Sequence, residues 1–458
     1  MPTRRNRVAM CINKIYKNFI LFSAIFALCV GFLKIANADN MILDFGKSAA
    51  NQSTQSFKSR DLQGLKDSHD SRSQTFDSRS QIFDFPSQDS QNSHDSRPKT
   101  LQKISVQSKN INIANPKNPT KSVLLSFVGD IILGDYLGAE GETFDAKFAE
   151  VNGDFGYFGG GVAEILTNDD LTIGNLEGVL SNGDFAIAKE KPFIFKGRES
   201  YAKILRLAGI DIVNLANNHS LDYGQKGLER TQNALKRAKV QFFGEENLAV
   251  LKLKGVKFGF AGEKGFSHFA KDAISRDIKR LRKMGAEVVI FTLHFGDEKS
   301  HTPNALQREL AHFAIDSGAD LVVAHHTHTL QGIEEYNGKK IIYSLANFIY
   351  GGSKLGGDKD SMIYQVRFVF GVRVSDSCDG CVNNFIPNLK SIDRLGDNAI
   401  MVHNIIPISV SSSESLNDYR PMIYQKYSDG FTRIMQRLSD YSEAIKALDS
   451  RELGESNM

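Results

Sequence analysis

Five separate apolar runs in this chain end in side chains that can bind a metal ion or carry a proton. Five of the eleven histidines fall in these segments, against two in residues 1–120. The polar segments are, in order, Asp130, Glu177, Asn218-His219, His294 and His325-His326-Thr327-His328. Such clustering indicates one chemical site assembled from distant parts of the sequence.

Carboxylate oxygens, an amide oxygen and imidazole nitrogens together form a ligand set suited to Mn, Fe or Zn. A carboxylate can bridge two such ions, and two ions about 3.5–4 Å apart can hold both oxygens of an in-line displacement at phosphorus. His219 follows the candidate ligand Asn218 and can donate a proton to a leaving oxygen. Asp222 can orient that imidazole. The pattern therefore predicts one or two divalent ions with an acid beside them.

Each residue also has an ordinary structural interpretation. Gly129-Asp130 after a strand is typical of a turn, and Asn217-Asn218 can cap the following helix or end a strand. A single histidine at a strand end, such as His294, is more often a satisfied polar residue than a ligand. The pair His326 and His328 is the sharper signal. Together, the segments favour a site for a metal ion or a phosphate-like group.

Apolar runs alternate with helical patterns from residue 121 onward, which predicts an α/β fold. The predicted strands include 122–128, 171–174, 211–216, 287–293 and 320–324. The predicted helices are 199–208, 224–239, 269–284 and 304–317, and hairpins are predicted around Gly255 and Asn337-Gly338. Because ligand sites in such sheets form outside the carboxyl ends of strands, the polar segments are expected to converge there.

The charge of the 458-residue chain is unevenly distributed. Its net charge is +3, yet residues 1–38 hold six basic and no acidic side chains, which leaves 50 basic and 53 acidic ones in the remainder. A slightly acidic remainder without a basic block argues against nucleic acid as a partner. Four cysteines in this length exclude a small disulfide-stapled protein.

The N-terminus is expected to direct export. A basic start is followed by the apolar run 19–33 and by Ala36-Asn37-Ala38, the small-residue pattern that signal peptidase accepts. We interpret 1–38 as a signal peptide, with an uncleaved membrane anchor as the alternative, and expect the protein in the periplasm or cell envelope. Residues 39–120, rich in Ser, Asp, Arg and Gln, predict a disordered linker.

Six motifs occur in order over roughly residues 121–372. They are Phe127-Val-Gly-Asp130, Gly174-Asn-Leu-Glu177, Leu215-Ala-Asn-Asn-His-Ser-Leu-Asp222, His294-Phe-Gly-Asp-Glu298, Gly318-Ala-Asp-Leu-Val-Val-Ala-His-His-Thr-His-Thr-Leu-Gln331 and Ile342-Tyr-Ser-Leu-Ala-Asn-Phe348. In these motifs the chain resembles the poly-gamma-glutamate capsule-synthesis family, the CapA-type proteins, which looks like a branch of the calcineurin-like metallophosphoesterases. The resemblance implies a four-layer α/β/β/α sandwich with two mixed sheets.

The resemblance also implies roles for individual residues. His219 becomes the candidate acid, with Asp222 and Glu298 as its polar support. The implied metal ligands are Asp130, Glu177, Asn218, His294, His326 and His328.

Three further residues are candidates for substrate binding. Lys191 and Arg198 lie between the second and third motifs and can grip an anionic substrate, such as a phosphate or a polycarboxylate. A solvated loop is the alternative interpretation of these two basic residues. Asn347 in the last motif is the third candidate.

The chain departs from the family at a few positions. Metallophosphoesterases usually carry Asp-x-His at the first strand end, whereas Asp130-Ile131-Ile132 has no histidine, so one ion is expected to bind weakly or differently. Ala324 and Thr327 stand where Gly and Pro are common in the family, and Ala346 stands where Gly is usual. A missing glycine is expected to tighten the approach of the backbone to a ligand.

Two functional hypotheses follow. The first is an exported metal-dependent hydrolase acting on a phosphoester or related bond in the metabolism of a capsule-type surface polymer; a periplasmic scavenger of nucleotides or phosphodiesters shares this chemistry. The second is a non-catalytic, metal- or polymer-binding partner in a capsule synthesis and export complex at the membrane. The missing histidine and the long linker favour the second somewhat.

The remaining predictions concern the C-terminal part. The domain is expected to span 121–412, followed by a helical tail over 413–458. Cys378-Asp-Gly-Cys381 is interpreted as a local disulfide of an exported protein. A redox motif and a structural zinc site are the weaker alternatives.

Overall fold

The computed structural model describes residues 80–84, 111–112, 121–141, 143–188, 191–352, 357–374 and 392–455. These residues all belong to the second of two units of the chain, 75–458. The predicted signal peptide, most of the predicted linker and the Cys378–Cys381 pair lie outside the described residues. Within the described part, no helix combines the length and the apolar character needed to cross a bilayer.

A nine-stranded mixed sheet carries the first three polar segments. Its order is β19 (Ile392–Arg394), β20 (Ala399–Ser409), β17 (Asp360–Phe370), β3 (Lys121–Ile132), β5 (Leu171–Leu176), β8 (Ile212–Asn214) and β9 (Gln241–Phe243), with β16 (Asn347–Tyr350) beside β3 and β21 (Met422–Ile423) beside β20. Strands β3, β5, β8 and β9 are parallel, whereas β17 pairs antiparallel with β3 and β20. The parallel strands are almost entirely buried, which explains their continuous apolar sequences.

A seven-stranded mixed sheet carries the two histidine segments. Its order is β1 (Ser80–Asp84), β10 (Leu248–Leu253), β11 (Val256–Lys264), β12 (Val288–His294), β13 (Leu321–His325), β15 (Lys339–Ile342) and β14 (Ile333–Tyr336). Strands β11, β12 and β13 are parallel, so their carboxyl ends lie at one edge. Both predicted hairpins, β10–β11 and β14–β15, are confirmed as antiparallel pairs.

Two smaller sheets complete the strand set of the described residues. One pairs β2 (Ile111–Asn112) with β18 (Arg373–Val374). The other has the order β4 (Asp135–Tyr136), β7 (Phe195–Gly197) and β6 (Val179–Leu180). The second small sheet lies directly beside the polar segments, because β4 follows β3 and β6 follows β5.

The described part of the sequence contains seven α-helices. They are α1 (Phe144–Glu150), α2 (Ala163–Leu166), α3 (Ala202–Ala208), α4 (Gly224–Ala238), α5 (Ala270–Lys283), α6 (Ala305–Asp316) and α7 (Asp429–Glu455), with 3-10 turns at Tyr157–Gly159 and Glu199–Tyr201. Helix α6 begins with a capping box, in which the side chains of Asn304 and Gln307 bond each other's backbone N–H groups. Gly209, at φ 90°, ends α3 in the left-handed conformation that glycine adopts without strain.

Three apolar clusters hold these elements together. Residues of both large sheets share one cluster, in which Phe258 of one sheet meets Phe368 of the other at 5.1 Å between ring centres. A second cluster packs α3 and α4 on the nine-stranded sheet, and a third packs α5 and α6 on the seven-stranded sheet. The fold is therefore α/β with mixed sheets, as predicted.

Most predicted elements are confirmed, with ends that differ by a few residues. The predicted helical tail contains α7, and Ile434 and Leu438 of this helix join the cluster between the sheets. The linker prediction differs from the structure at Ser80–Asp84 and Ile111–Asn112, which form strands. Ser80–Asp84 contains Ile and Phe and pairs with the edge strand β10, a partner that composition alone does not reveal.

Candidate metal centre

The strand ends bring the six predicted metal ligands into one buried group. Asp130 lies in β3, Glu177 follows β5, Asn218 follows β8, His294 ends β12, and His326 and His328 follow β13. Asp130, Glu177 and His294 have no exposed surface. Burial of this many ionisable groups in one place needs a compensating interaction.

Glu177 is the centre of the group. Neither of its side-chain oxygens has a hydrogen-bond partner among the described residues. Oε1 lies 3.5 Å from His294 Nε2 and 3.8 Å from His219 Nε2, and Oε2 lies 4.0 Å from His328 Nδ1. Burial opposes ionisation, but the neighbouring His328 and His294 lower the pKa of Glu177 below its usual value, so Glu177 is an anion without a hydrogen-bond donor in the described part of the chain. Ligand atoms about 2.0–2.2 Å from a common ion are themselves a little over 3 Å apart, so a cation fits among these groups.

Two groups of three side chains share Glu177. In each group, one ligand atom per residue lies within 4.8 Å of the other two. The groups are Glu177, His326 and His328, and Asp130, Glu177 and His294. Asn218 adds an amide oxygen, Oδ1, at 2.7 Å from His294 Nε2. A carboxylate shared by two ligand groups is the arrangement that a two-ion site requires.

Asn175 orients two of these ligands and was missed in the sequence. Its amide nitrogen donates to Asp130 Oδ1 at 2.8 Å and lies 3.2 Å from His294 Nδ1. Its amide oxygen accepts from Asn214 at 3.0 Å and from Asn217 at 3.2 Å. A fully buried Asn inside the apolar strand β5, two residues before Glu177, is the sequence signal that identifies it.

Asp130 is held by several donors. Its Oδ2 accepts from the backbone N–H of His326 at 3.1 Å and lies 3.3 Å from His328 Nδ1, and Oδ1 lies 3.2 Å from His325 Nδ1. Burial opposes ionisation, but His325 and His328 keep the pKa of Asp130 well below its usual range. Asp130 is therefore an anion ready to bind a cation.

His328 lies in a strongly negative environment. Burial opposes its charging, but Glu177 and Asp130 outweigh this effect and raise the pKa of His328 to about 10. Its Nδ1 lies 2.9 Å from Asn347 Oδ1, and Asn347 Nδ2 donates to the His328 carbonyl at 3.2 Å. The structure thus places Asn347, predicted to bind substrate, as a residue that orients His328. The two carboxylates favour a positive charge at this point, from a proton or a metal ion.

His326 has the opposite character. Burial and the neighbouring His294 lower the pKa of His326 to about 3, so its imidazole is neutral, the form that binds metals. Its Nδ1 is buried without a hydrogen-bond partner among the described residues. The backbone φ angles of His326 and His328 are 101° and 57°, which is strained for residues other than glycine. Such strain is concentrated at functional sites.

His219 lies beside the metal ligands and contacts its predicted partner. Its Nδ1 lies 2.9 Å from Asp222 Oδ2, and Asp222 is itself buried. The Lys191 ammonium contacts Asp222 Oδ1, the Asn218 carbonyl at 2.7 Å and His219 Nδ1 at 3.1 Å. The structure therefore brings Lys191 to the candidate acid, where its charge is balanced by Asp222.

Two predicted site residues lie further from this centre. Arg198 forms an ion pair with Asp145 at 2.8 Å, and its side chain is half exposed. Glu298 is exposed and, within the described residues, makes no hydrogen bond or ion pair with His219. It lines a cavity of about 670 Å³ that His219, His328 and Asn347 also line. Of the six candidate ligands, His328 is the one that lines this cavity.

The departures from the family motifs have visible consequences. Ile132, which replaces a histidine, is buried at 1% exposure and offers no ligand atom. Ala346, which replaces a glycine, has a φ of 63°. Its carbonyl accepts from the backbone N–H of Asp130 at 2.9 Å. A Cβ at the neighbouring Gly129 would lie 2.1 Å from that carbonyl oxygen, so only glycine fits there.

Comparison with known proteins identifies the same region. Residues 124–351 match the family model described as the bacterial capsule synthesis protein PGA_cap. The chain is 30% identical over 246 residues to the PGA biosynthesis protein CapA of Bacillus subtilis, covering 49% of this chain and 62% of the relative. It is 28% identical over 256 residues to the capsule biosynthesis protein CapA of Bacillus anthracis, covering 50% and 60%.

A third relative is more distant. A probable polyglutamine synthesis accessory protein of Mycobacterium tuberculosis is 25% identical over 246 residues, covering 47% of this chain and 64% of the relative. The chain therefore spans about three fifths of the length of the curated relatives it matches. The matched region contains all six candidate ligands and His219. The chain belongs to the CapA-type family of bacterial capsule synthesis proteins.

Proposed function

We propose that this protein is an exported, metal-dependent hydrolase that acts on a phosphoester or related bond in the synthesis of a capsule-type surface polymer. The observation that carries the proposal is the buried Glu177 carboxylate, which lacks a hydrogen-bond partner and lies between two ligand groups. The names of the relatives refer to capsule, PGA and polyglutamine synthesis, and they support a role in the synthesis of such a polymer. The basic, then apolar N-terminus supports export.

The ligand groups support a site for Mn, Fe or Zn. Asp130, Glu177 and Asn218 would supply oxygen atoms, and His294, His326 and His328 nitrogen atoms. When bound, divalent ions polarise a phosphoryl oxygen and stabilise the charge that develops on it. Asn175 and Asn347 hold Asp130, His294 and His328 in orientation.

His219 is the proposed acid. Nδ1–H donates to Asp222 at 2.9 Å, so the proton available for transfer is the second one, on Nε2 of the protonated ring; Nε2 faces Glu177 Oε1, which is 3.8 Å away. A leaving oxygen in the adjoining cavity can take that proton. Lys191 and Asp222 fix the ring, and Phe195 packs against it with ring centres 4.5 Å apart. These residues position the acid rather than grip an anionic polymer.

The fold supports the same proposal. Apolar clusters pack helices on the outer face of each large sheet and the two sheets on one another. This packing agrees with the four-layer sandwich that the metallophosphoesterase resemblance implies. In such an arrangement the carboxyl ends of β3, β5, β8, β12 and β13 supply the site from both sheets.

The test is the turnover of a phosphodiester such as bis(p-nitrophenyl) phosphate by His219→Ala. We expect turnover to fall by about 10²–10⁴-fold, the usual contribution of a general acid, with metal content unchanged. His268→Ala is the matched control, because the His268 side chain is 71% exposed and pairs with the surface residue Glu309, away from the candidate ligands. Undiminished turnover in His219→Ala would contradict the assignment of the acid.

A non-catalytic binding role is the second candidate, and Ile132 favours it. With a buried isoleucine in place of a histidine, the Asp130 side of the site has fewer ligand atoms. A platform that binds metal or polymer does not need a complete catalytic site. Normal surface polymer in cells carrying His219→Ala, with loss of polymer in Glu177→Gln, would support the platform.

A further inference from the structure

The cavity wall beside His219 carries a row of aromatic rings, of which the proposed chemistry uses Phe195 alone. Phe195 contacts the His219 ring, and Phe193 lies parallel to Phe195 with ring centres 6.3 Å apart and planes at 6°. Tyr136 meets Phe193 edge to face at 5.8 Å. All four residues line the same cavity. The row therefore leads from solvent to the candidate acid.

Folding alone does not account for Phe193. Its side chain is 49% exposed, whereas Phe195 next to it is 4% exposed. A half-exposed ring contributes little to a core and presents its apolar surface to water. Its position facing the cavity instead matches that of a ligand-binding residue.

The backbone under the rings is firmly held. Tyr136 and Phe195 are paired in register across β4 and β7, and the Leu137 N–H donates to the Ile194 carbonyl at 2.9 Å. The Phe195 N–H donates to the buried Asp222 carboxylate at 2.8 Å. The same hydrogen bond therefore ties the ring row to the residue that orients His219. A row held in this way is organised before a ligand arrives.

We propose that Tyr136, Phe193 and Phe195 form a subsite for a ring carried by the substrate, so that the substrate is a phosphoester of a sugar or a nucleoside. This inference rests on the proposed hydrolase function and specifies its substrate. A nucleobase stacks its flat π-face on an aromatic side chain, and a sugar ring packs the C–H groups of one face against it. A cavity of about 670 Å³ accommodates such a ring together with its phosphate.

The charges of the cavity disfavour a linear polycarboxylate as the occupant. The cavity is lined by one lysine, Lys299, and by four carboxylates, which are Asp135, Glu140, Glu298 and Asp358. Arg437 pairs with Asp358 at 3.0 Å, but a chain with a carboxylate on every unit would still meet like charge at the exposed Glu298. A single phosphate at the metal ligands, followed by an uncharged ring on Phe193, avoids this repulsion.

The experiment measures binding of three phosphonates to the Mn-loaded full chain by calorimetry. The phosphonates are analogues of glycerol phosphate, glucose phosphate and adenosine monophosphate, whose C–P bond prevents turnover. We expect at least one ring-bearing analogue to bind about tenfold more tightly than the glycerol analogue, as is usual for one stacked ring. Which of the two gains affinity distinguishes a sugar from a nucleoside.

Variants of Phe193 isolate the contribution of the ring. Phe193→Ala is expected to remove the tenfold advantage and to leave the glycerol analogue unchanged. Phe193→Leu keeps apolar volume without a ring and is expected to lose the advantage as well. Phe269→Ala is the matched control, since Phe269 is 88% exposed and does not line the cavity.

Two results would overturn the inference, and they differ in what they leave standing. Equal affinity for all three analogues, or a ring advantage that survives Phe193→Ala, would overturn the subsite and leave the hydrolase proposal intact. Failure of every analogue to bind the Mn-loaded protein would overturn the subsite and the hydrolase proposal together.

Discussion

Two buried carboxylates in this protein, Glu177 and Asp360, have opposite environments. Asp360 is 2% exposed and accepts from Arg433 Nε at 2.9 Å, from Arg433 Nη2 at 2.6 Å and from Arg437 Nη1 at 2.7 Å. Glu177 is fully buried and accepts no hydrogen bond from the described residues. The protein thus supplies Asp360 with hydrogen-bond donors, whereas Glu177 has only imidazole nitrogens at 3.5–4.0 Å and no hydrogen-bond donor among the described residues. Burial of a charge does not by itself mark a candidate site; burial without a hydrogen-bond donor does.

The two carboxylates also serve different elements. Asp360 begins β17, and both arginines lie on α7, so this ion pair fixes the C-terminal helix to the nine-stranded sheet. Glu177 follows β5 and lies among ligands from both large sheets. The first carboxylate therefore fixes a helix to a sheet, and the second is the one proposed to bind metal.

The largest expected effect is on stabilisation by metal. Mn at 100 times its Kd should raise the free energy of unfolding of the wild type by about 2.7 kcal/mol. Glu177→Gln should abolish this gain because the shared charge is lost. Thermal unfolding with Mn and with EDTA measures this gain. If Mn stabilised the variant as much as the wild type, Glu177 would not be required for metal binding.

Asp360→Asn is expected to show the reverse behaviour. The free energy of unfolding should fall by about 2 kcal/mol, less than for a fully buried pair because water can reach the arginines. Their side chains are 47% and 35% exposed. The gain on adding Mn should remain. Urea unfolding provides the measurement, and a stable variant that fails to respond to Mn would show that the two carboxylates are not independent.

A third carboxylate, Asp169, is intermediate between these two, because only one of its two oxygens has a hydrogen-bond partner among the described residues. Its Oδ2 accepts from the Thr172 hydroxyl at 2.7 Å, whereas Oδ1 has no partner among the described residues. Burial raises the pKa of Asp169 to about 7. Neither of the two candidate metal-ligand groups includes Asp169. A proton, rather than a metal ion, is therefore its expected partner.

This difference predicts a pH dependence of stability. The folded protein binds the Asp169 proton more tightly than the unfolded chain, so the stabilisation is complete below about pH 4 and is lost as the pH rises through about 7. Asp169→Asn should match the wild type at pH 4 and exceed it by about 1.5 kcal/mol at pH 5.5. Urea unfolding at both pH values measures this. An equal difference at both values would contradict the role of the proton.

The smallest expected effect concerns the backbone beside the metal ligands. Ala346, at φ 63°, adopts a conformation that glycine tolerates better, so Ala346→Gly should raise the free energy of unfolding by about 1 kcal/mol. Ala314→Gly in α6 is the control and should lower it, because glycine is unfavourable inside a helix. Destabilisation by Ala346→Gly would show that strain is not the dominant effect at this position.

Much of the site was predictable because strand ends are readable in the sequence. Asp130, Glu177 and His294 each lie at the end of an apolar run, and parallel strands bring such ends together. Asn175 was missed because it lies inside an apolar run, where its side-chain partners cannot be inferred. The partners of a polar side chain depend on long-range contacts.

The basic residues show the same limit. Lys191 and Arg198 look like free cations in the sequence, but their carboxylate partners Asp222 and Asp145 are distant along the chain. Strand β1 likewise depends on its pairing with β10, which lies more than 160 residues further on. Local composition indicates whether a segment is solvated and flexible, but it does not predict pairings between residues that are distant in the sequence.

The most direct test of the central claim is the metal content of the purified full chain, determined by elemental analysis after loading with Mn, Fe or Zn and removal of excess. The account predicts about one to two ions per chain in the wild type and in Asp360→Asn, and almost none in Glu177→Gln. Absence of bound metal from the wild type, or equal metal in Glu177→Gln, would contradict it.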